Sequence, residues 1–417
     1  MDLAIAHISF LNFRSYEAFD LDGIGPLTVL VGPNAAGKTN VVEGIGLLTA
    51  QSSFRHAPVD QLVRAGAPFA RLAADVTDGS RRLELAVQMA EGKKKHLLNG
   101  KPKRTADLKG LVPSVTFTPD DLELAKGAMS VRRAALDALG SQLSANHYLI
   151  RRDYEKVLRH KNRLLKDEAP AALVRAMNET LVTCGAQLSC YRAALFEKLA
   201  ASMASYYAEI TDGHERLDAG FVPSWEEHDP LSFATRTFGR DEALADALAR
   251  RGGEERVRKR ALVGPHADRI EFFIDGKNAA LFGSQGQQRS VVLAFKLAEA
   301  TLIQDILRQK PVLLLDDVMS ELDAARRRAL VAFISGDIQT FITTTNLAYF
   351  DDDLLGAARI VELEKPRVTS ETPGEDRMFH VKHSPIDAQS ARGEAEERDG
   401  QPSDPAEQPS ARIEGDS

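Results

Sequence analysis

The chain has 417 residues, 43% hydrophobic and 27% charged, with a net charge of −7, a length that predicts two domains plus appendages rather than one core. The charge is uneven: positions 366–417 carry 6 Lys+Arg and 12 Asp+Glu, which leaves about −1 for 1–365, so nucleic-acid affinity must come from local patches. No apolar run reaches the roughly 18 residues of a membrane span, the start lacks a signal-peptide pattern, and Cys184 and Cys190 suit a reducing, cytoplasmic setting without forming a metal-ligand pattern.

From the N-terminus, Ile5, His7, Ser9, Leu11 and Phe13 alternate with Ala4, Ala6, Ile8, Phe10 and Asn12, which predicts a strand. After a turn at Gly23 and Gly25, a second strand ends in Val29, Leu30 and Val31. It feeds Gly32, Pro33, Asn34, Ala35, Ala36, Gly37, Lys38, Thr39 and Asn40, with the spacing of a phosphate loop. Glycines let successive N–H groups turn toward phosphate oxygens at a helix N-terminus. Lys38 would reach the β/γ-phosphates, and Thr39 would give a hydroxyl to Mg²⁺. Arg14, in the first strands, either approaches the same phosphates or is a surface arginine at a turn. Short strands follow over 70–118, with a hairpin at Asn99 and Gly100.

Near Ser130 the texture becomes helical. The stretch 149–166 holds seven Lys+Arg against two acids, a turn falls at 166–170, and Val174, Met177, Leu181, Cys184, Leu188, Tyr191 and Leu195 make a heptad-like seam. A helix over 171–208 would be about 57 Å long, and so few heptads favour a bundle within one chain. The region between Gly213 and Gly253 is mixed, with a short helix at 240–251. Beyond 366 the density of Pro, Gly, Ser and acids predicts disorder.

A late apolar run, Val312 to Leu315, ends in Asp316 and Asp317. Asp316 is placed to hold Mg²⁺, and Asp317 to orient an attacking water. Ser284, Gln285, Gly286, Gln287 and Gln288 open an amphipathic helix and form a second anion site. Because Lys38, Thr39 and Asp316 already enclose the phosphates, this loop is expected to cap a nucleotide held by another subunit. Ser320, Glu321 and Asp323 would lie at the same seam.

These stretches resemble known sequences. Ser284 to Gln287 resembles the signature loop of ABC-type ATPases, and Ser320 to Asp323 their D-loop. Together with 32–40, 118–127, Arg132, Arg133, 264–266 and 315–323, they are similar to the RecF family of bacterial DNA replication and repair proteins over 3–365. The resemblance implies an α/β fold: an ABC-type, SMC/Rad50-like ATPase head at 1–130 and 261–365, an inserted helical arm at 131–260, and the tail at 366–417. It also implies ATP and Mg²⁺ as cofactors, an ATP-dependent homodimer, slow ATP hydrolysis, binding to DNA gaps or single-/double-strand junctions, and work with RecO and RecR in loading RecA. A non-catalytic scaffold glued by ATP is the alternative. Ala267 departs from the basic residue usual in the family, and the acidic tail is an addition. Candidate DNA contacts are Lys93, Lys94, Lys95, Lys101, Lys103 and Arg104 near the hairpin, with Arg151, Arg152, Arg159 and Arg163 on the arm.

Overall fold

The computed structural model describes residues 2–226, 241–335 and 337–364, so the expected tail lies outside the described residues. The chain opens with Ala4–Phe13 (β1) and Tyr16–Leu21 (β2), then Leu27–Val31 (β3) and the helix Lys38–Thr49. Ala70–Thr77 (β4), Arg82–Ala90 (β5), Lys93–Leu98 (β6), Lys101–Lys103 (β7) and Ser114–Phe117 (β8) follow. Helices Met129–Leu143, Ala145–Lys166 and Ala171–Ile210 lead to Leu217–Val222 (β9), helix Asp241–Arg258, Arg269–Ile274 (β10) and Lys277–Asn278 (β11). Helix Gln285–Leu307, Val312–Asp316 (β12), helix Ala324–Ile334, Thr340–Thr344 (β13) and Arg359–Glu362 (β14) come last.

The parallel sheet β14-β3-β13-β12-β8 divides two cores. Of its strands, β12 reads as an unbroken apolar run from Val312 to Leu315, because both its faces are covered. Val29, Leu313, Leu315 and Ile342 face a core shared with helices Ala171–Ile210 and Gln285–Leu307. Leu30, Val312, Leu314 and Phe341 face the other, closed by helix Lys38–Thr49 and the antiparallel sheet β2-β1-β4-β5-β6-β7.

The simple alternation expected for β1 does not survive. Ile5 is buried, but so are Ile8 and Phe10, and the pairing with β4 slips between Ile5 and His7. An extra residue there reverses which side chains face inward. Asn99 and Gly100, with φ of 52° and 73°, make the expected tight turn between β6 and β7.

The long helices form a hairpin around the expected turn, and Ala171–Ile210, at 40 residues, is about 60 Å long. Its seam migrates. Val174, Leu181, Leu188 and Leu195 are buried, whereas Tyr191 is exposed and the buried stripe moves on through Arg192, Leu199 and Met203. A straight helix drifts about 20° per heptad, so it turns from its partner Ala145–Lys166 toward Gln285–Leu307. Part of the region read as mixed is strand: β9 pairs with β10, and the helix after it runs longer than expected, over Asp241–Arg258.

Where the arm meets the sheets, polar residues replace the apolar seam. Buried Arg192 donates to both oxygens of Asp137, at 2.8 and 2.7 Å, and to the carbonyl of Pro265 at 2.6 Å. Asp268 stands 3.3 Å from Arg192 and accepts from Ser189 at 2.8 Å and from the Ser224 N–H at 3.1 Å. Burial opposes the charge of Asp137, yet Arg192 and His147 hold its pKa well below the usual carboxylate range. Burial instead pushes Asp268 up to about 6, against the pull of Arg192. Removing the shared cation would strand two buried acids. Arg192→Ala should therefore cost about 3–5 kcal/mol in urea denaturation; a loss below about 1 kcal/mol would show that the network does not hold the arm root.

Candidate nucleotide site

Parallel α/β sheets hold ligands outside the carboxyl ends of their strands. The ends of β3, β13 and β12 are adjacent here. The loop leaving β3 is shaped by two close approaches. A Cβ on Gly32 would collide with the carbonyl oxygen of Leu363, and one on Gly37, at φ 95°, with the hydroxyl end of Tyr16. Tyr16 thus props the loop from beneath, and only glycine fits at both corners.

Lys38 is 7% exposed and donates to the carbonyls of Gly32 and Pro33, at 2.6 and 3.0 Å. Burial lowers its pKa, while the nearby charges of Asp317 and Asp316 favour the cation. The amine can exchange those carbonyls for phosphate oxygens without leaving the loop. Thr39 donates its hydroxyl to Asp316 Oδ1 at 3.0 Å, joining the two expected half-sites across 277 residues of sequence.

Asp316 is 6% exposed and accepts a second bond, 2.8 Å, from the Thr343 hydroxyl. Burial raises its pKa despite these two donors. Thr343 is the register partner of Asp316 in β13, and its hydroxyl also accepts from the Asp317 N–H at 2.9 Å. Asp317 has a left-handed φ of 54°, which swings its carboxylate out of line with the strand. Its Oδ1 is buried with no hydrogen-bond partner among the described residues. Burial raises its pKa, against the pull of Lys38. A hydroxyl and a carboxylate in contact are the hard oxygen donors that Mg²⁺ takes. The orphaned oxygen of Asp317 suits a proton acceptor.

The Ser284 loop is built on other elements. Ser284 caps helix Gln285–Leu307 through a reciprocal pair of bonds with Gln287. Gln287 donates to Glu215 at 2.8 Å, and Gln288 to the carbonyl of Ala279 at 3.1 Å. Arg326 ties this loop to the segment after β12, donating to the Gly286 carbonyl at 2.6 Å, to Ser290 at 2.9 Å and to Asp323. Arg289 and Glu321 bridge the same seam at 2.5 Å. Beside it, Leu281 and Phe282 are 76% and 71% exposed.

A family model described as the RecF/RecN/SMC N terminal domain matches residues 4–360. A Synechococcus sp. protein, "DNA replication and repair protein RecF", is 36% identical over 364 residues, 86% of this chain and 95% of that protein. The Moorella thermoacetica protein of the same name is 34% identical over 378 residues, 88% of this chain and 98% of that one. The chain belongs to the RecF family. A solved structure of the recombination mediator protein RecF with ATP, in the RecFOR pathway, superposes with a TM-score of 0.76 at 28% identity, over 87% of this chain and 96% of that one. Its counterpart described as RecF-ATPrS gives 0.77 at the same identity. The fold is an SMC/Rad50-like ABC ATPase head.

Several residues singled out from the sequence have structural work. Arg14 is bound to buried Glu43 at 2.7 and 2.8 Å and to the Gln61 carbonyl at 3.0 Å. Arg132 is buried and donates to the carbonyls of Leu124, Ala125 and Ile270. His266 meets the Tyr154 hydroxyl at 2.6 Å, at the root of the arm. Asn346, just past the end of β13, caps the turn Leu347–Tyr349. Among the candidate DNA contacts, Arg104 pairs with Asp107, Arg151 with Glu155, and Arg152 with Asp153, at 2.9, 2.8 and 3.2 Å.

Sequence reasoning did not find Tyr16, Glu43, Glu215 or Arg326. Thr343 lies in a run of three threonines, 343–345, whose spacing does not single it out. As the residue that orients both acids, Thr343 is open to test. Thr343→Val should raise the Mg²⁺ concentration needed for half-maximal ATPase by about 10- to 100-fold, measured by metal titration; an unchanged requirement would mean that Asp316 is oriented without it.

Proposed function

We propose that the chain is an ATP-driven DNA clamp in which two copies close on two ATP molecules, bind DNA at single-strand gaps or junctions, and act with RecO and RecR to promote RecA loading. The observation that carries this reading is the contact between Thr39 and Asp316 at one group of strand ends, while the Ser284 loop is held on separate elements, with Gln287 bonded to Glu215 and the Gly286 carbonyl to Arg326. Among the described residues, no hydrogen bond joins the Ser284 loop to the phosphate loop. A second copy, turned by a twofold axis, would bring its own Ser284 loop to the triphosphate. Exposed Leu281 and Phe282, next to that loop, supply apolar surface for such a contact.

In this mechanism the N–H groups of 32–39 cradle the phosphates, Lys38 moves from the loop carbonyls to the β/γ oxygens, and Thr39 and Asp316 are the residues that would hold Mg²⁺. When bound, Mg²⁺ neutralises charge on the β- and γ-phosphates. Asp317 accepts a proton from the attacking water through its unpartnered oxygen. Ser284 and Gly286 of the second copy meet the γ-phosphate only while it is intact, so ATP binding energy becomes dimerisation energy and hydrolysis releases the clamp. Asp317 is one methylene shorter than the Glu many ABC ATPases place there, which favours slow turnover and a long-lived closed state. The inserted arm of this head is read at 131–260, of which 131–226 and 241–260 are described.

Asp317→Asn should still dimerise with Mg-ATP while losing hydrolysis, by sedimentation and phosphate release; normal turnover would refute the role of Asp317. Gapped duplex should stimulate the ATPase of the unaltered chain, and an absence of turnover with or without DNA would favour a scaffold that uses ATP only as glue.

A further inference from the structure

The lysines of the β6–β7 hairpin form one run in sequence, but the pleat divides them. Residues directly opposite in an antiparallel pair share a face, and His96 stands opposite Lys103 and Leu98 opposite Lys101. Lys94, His96, Lys101 and Lys103 therefore occupy one face, and Lys93 and Lys95 the other. The first face is the one the sheet turns toward its core: Met89 and Val87, opposite Lys94 and His96, are buried.

Beyond the edge of that core, cations line this face. Lys109 donates to the carbonyl of Ala50, at the end of the phosphate-loop helix, at 3.0 Å, and lies over the ring of Tyr148 at 5.4 Å. Tyr148 belongs to helix Ala145–Lys166, which also carries Arg151. The hairpin, the phosphate-loop helix and the arm helix thus converge on a short basic strip.

The charges of Lys94 and Lys109 are poorly compensated. Burial and the neighbouring Arg151 push Lys109 down to about 8, and burial lowers Lys94 although the charge of Glu43 opposes this. Burial, Lys94 and Lys109 push His96 down to about 4, so its ring is neutral at pH 7 and has an N–H to donate. Glu43 is already engaged by Arg14 and Ser53. A bound anion would relieve this repulsion.

We propose that the strip formed by Lys94, His96, Lys103 and Lys109, between the hairpin and the base of the arm, holds the phosphate backbone of DNA, and that Lys93 and Lys95 on the opposite face take no part. The proposal rests on the DNA-binding reading above and says where the duplex lies. Lysines and an imidazole N–H suit phosphate oxygens, and Lys109 covers the Tyr148 ring, so the strip reads backbone rather than bases.

The test compares two full-length variants of equal net charge, Lys94→Gln with Lys103→Gln and Lys93→Gln with Lys95→Gln. Each is titrated with gapped duplex in Mg-ATP across a salt series. Losing two phosphate contacts should flatten the log–log salt slope by about 1.8, so that raising salt from about 50 to 200 mM costs the first variant roughly tenfold less affinity than the unaltered chain. The second should keep the original slope. Because Lys94 is half-buried, exposed Lys103 supplies a control without packing loss: Lys103→Glu should weaken binding more than Lys95→Glu. Equal effects from the two faces, with binding by the unaltered chain intact, would overturn the strip alone. An unaltered chain that does not bind DNA would overturn the strip and the DNA-binding reading together.

Discussion

The hydroxyl of Thr39 against the carboxylate of Asp316 is the contact on which the site depends. It forms because β13 lies between β3 and β12 and sets their ends at one level. Thr343 is in register with Asp316 on one side and with Leu30 on the other, so a single side chain from the middle strand fixes the acid that the phosphate-loop helix must meet. Both cores press on these strands, and the apolar residues that alternate along them keep that register.

In the proposed clamp, the same sheet accounts for the need for a second copy. Helix Gln285–Leu307, with the Ser284 loop at its start, packs on the core facing the arm, whereas the phosphate-loop helix packs on the opposite core. Arg326 and the Arg289–Glu321 bridge join that loop to the segment following Asp316, so a change at the acids can reach the loop through two side chains. On the arm side, Arg192 and Asp268 fasten the long helix to β10 and the loop before it. ATP, the second copy and the arm would therefore be linked by short polar connections rather than by a continuous apolar interface.

The nucleotide elements were legible in sequence because each is contiguous: an apolar strand followed at once by Gly32 to Thr39, or by Asp316 and Asp317. The RecF resemblance supplied their order. What escaped depends on residues brought together by the fold. Tyr16 beneath Gly37, Arg326 on Gly286 and Glu43 on Arg14 leave no spacing to recognise. The slip in β1 and the drifting seam of Ala171–Ile210 show how one extra residue, or a 3.6-residue period met by a seven-residue one, turns a correct element into a wrong face. The lysine run in β6 is likewise divided between the two faces of its strand, which charge counted along the sequence does not show.

The central claim is that each nucleotide site is finished by a second copy, and mixing two crippled chains tests it most directly. Asp317→Asn keeps an intact Ser284 loop, and Ser284→Arg keeps an intact phosphate loop and both acids. Each alone should be nearly inactive. Mixed in equal amounts with Mg-ATP, they should regain roughly a quarter of normal ATPase, because half the dimers are mixed and each has one whole site. If the mixture shows no more activity than the two chains measured separately, the sites are not shared between copies and the clamp account is wrong.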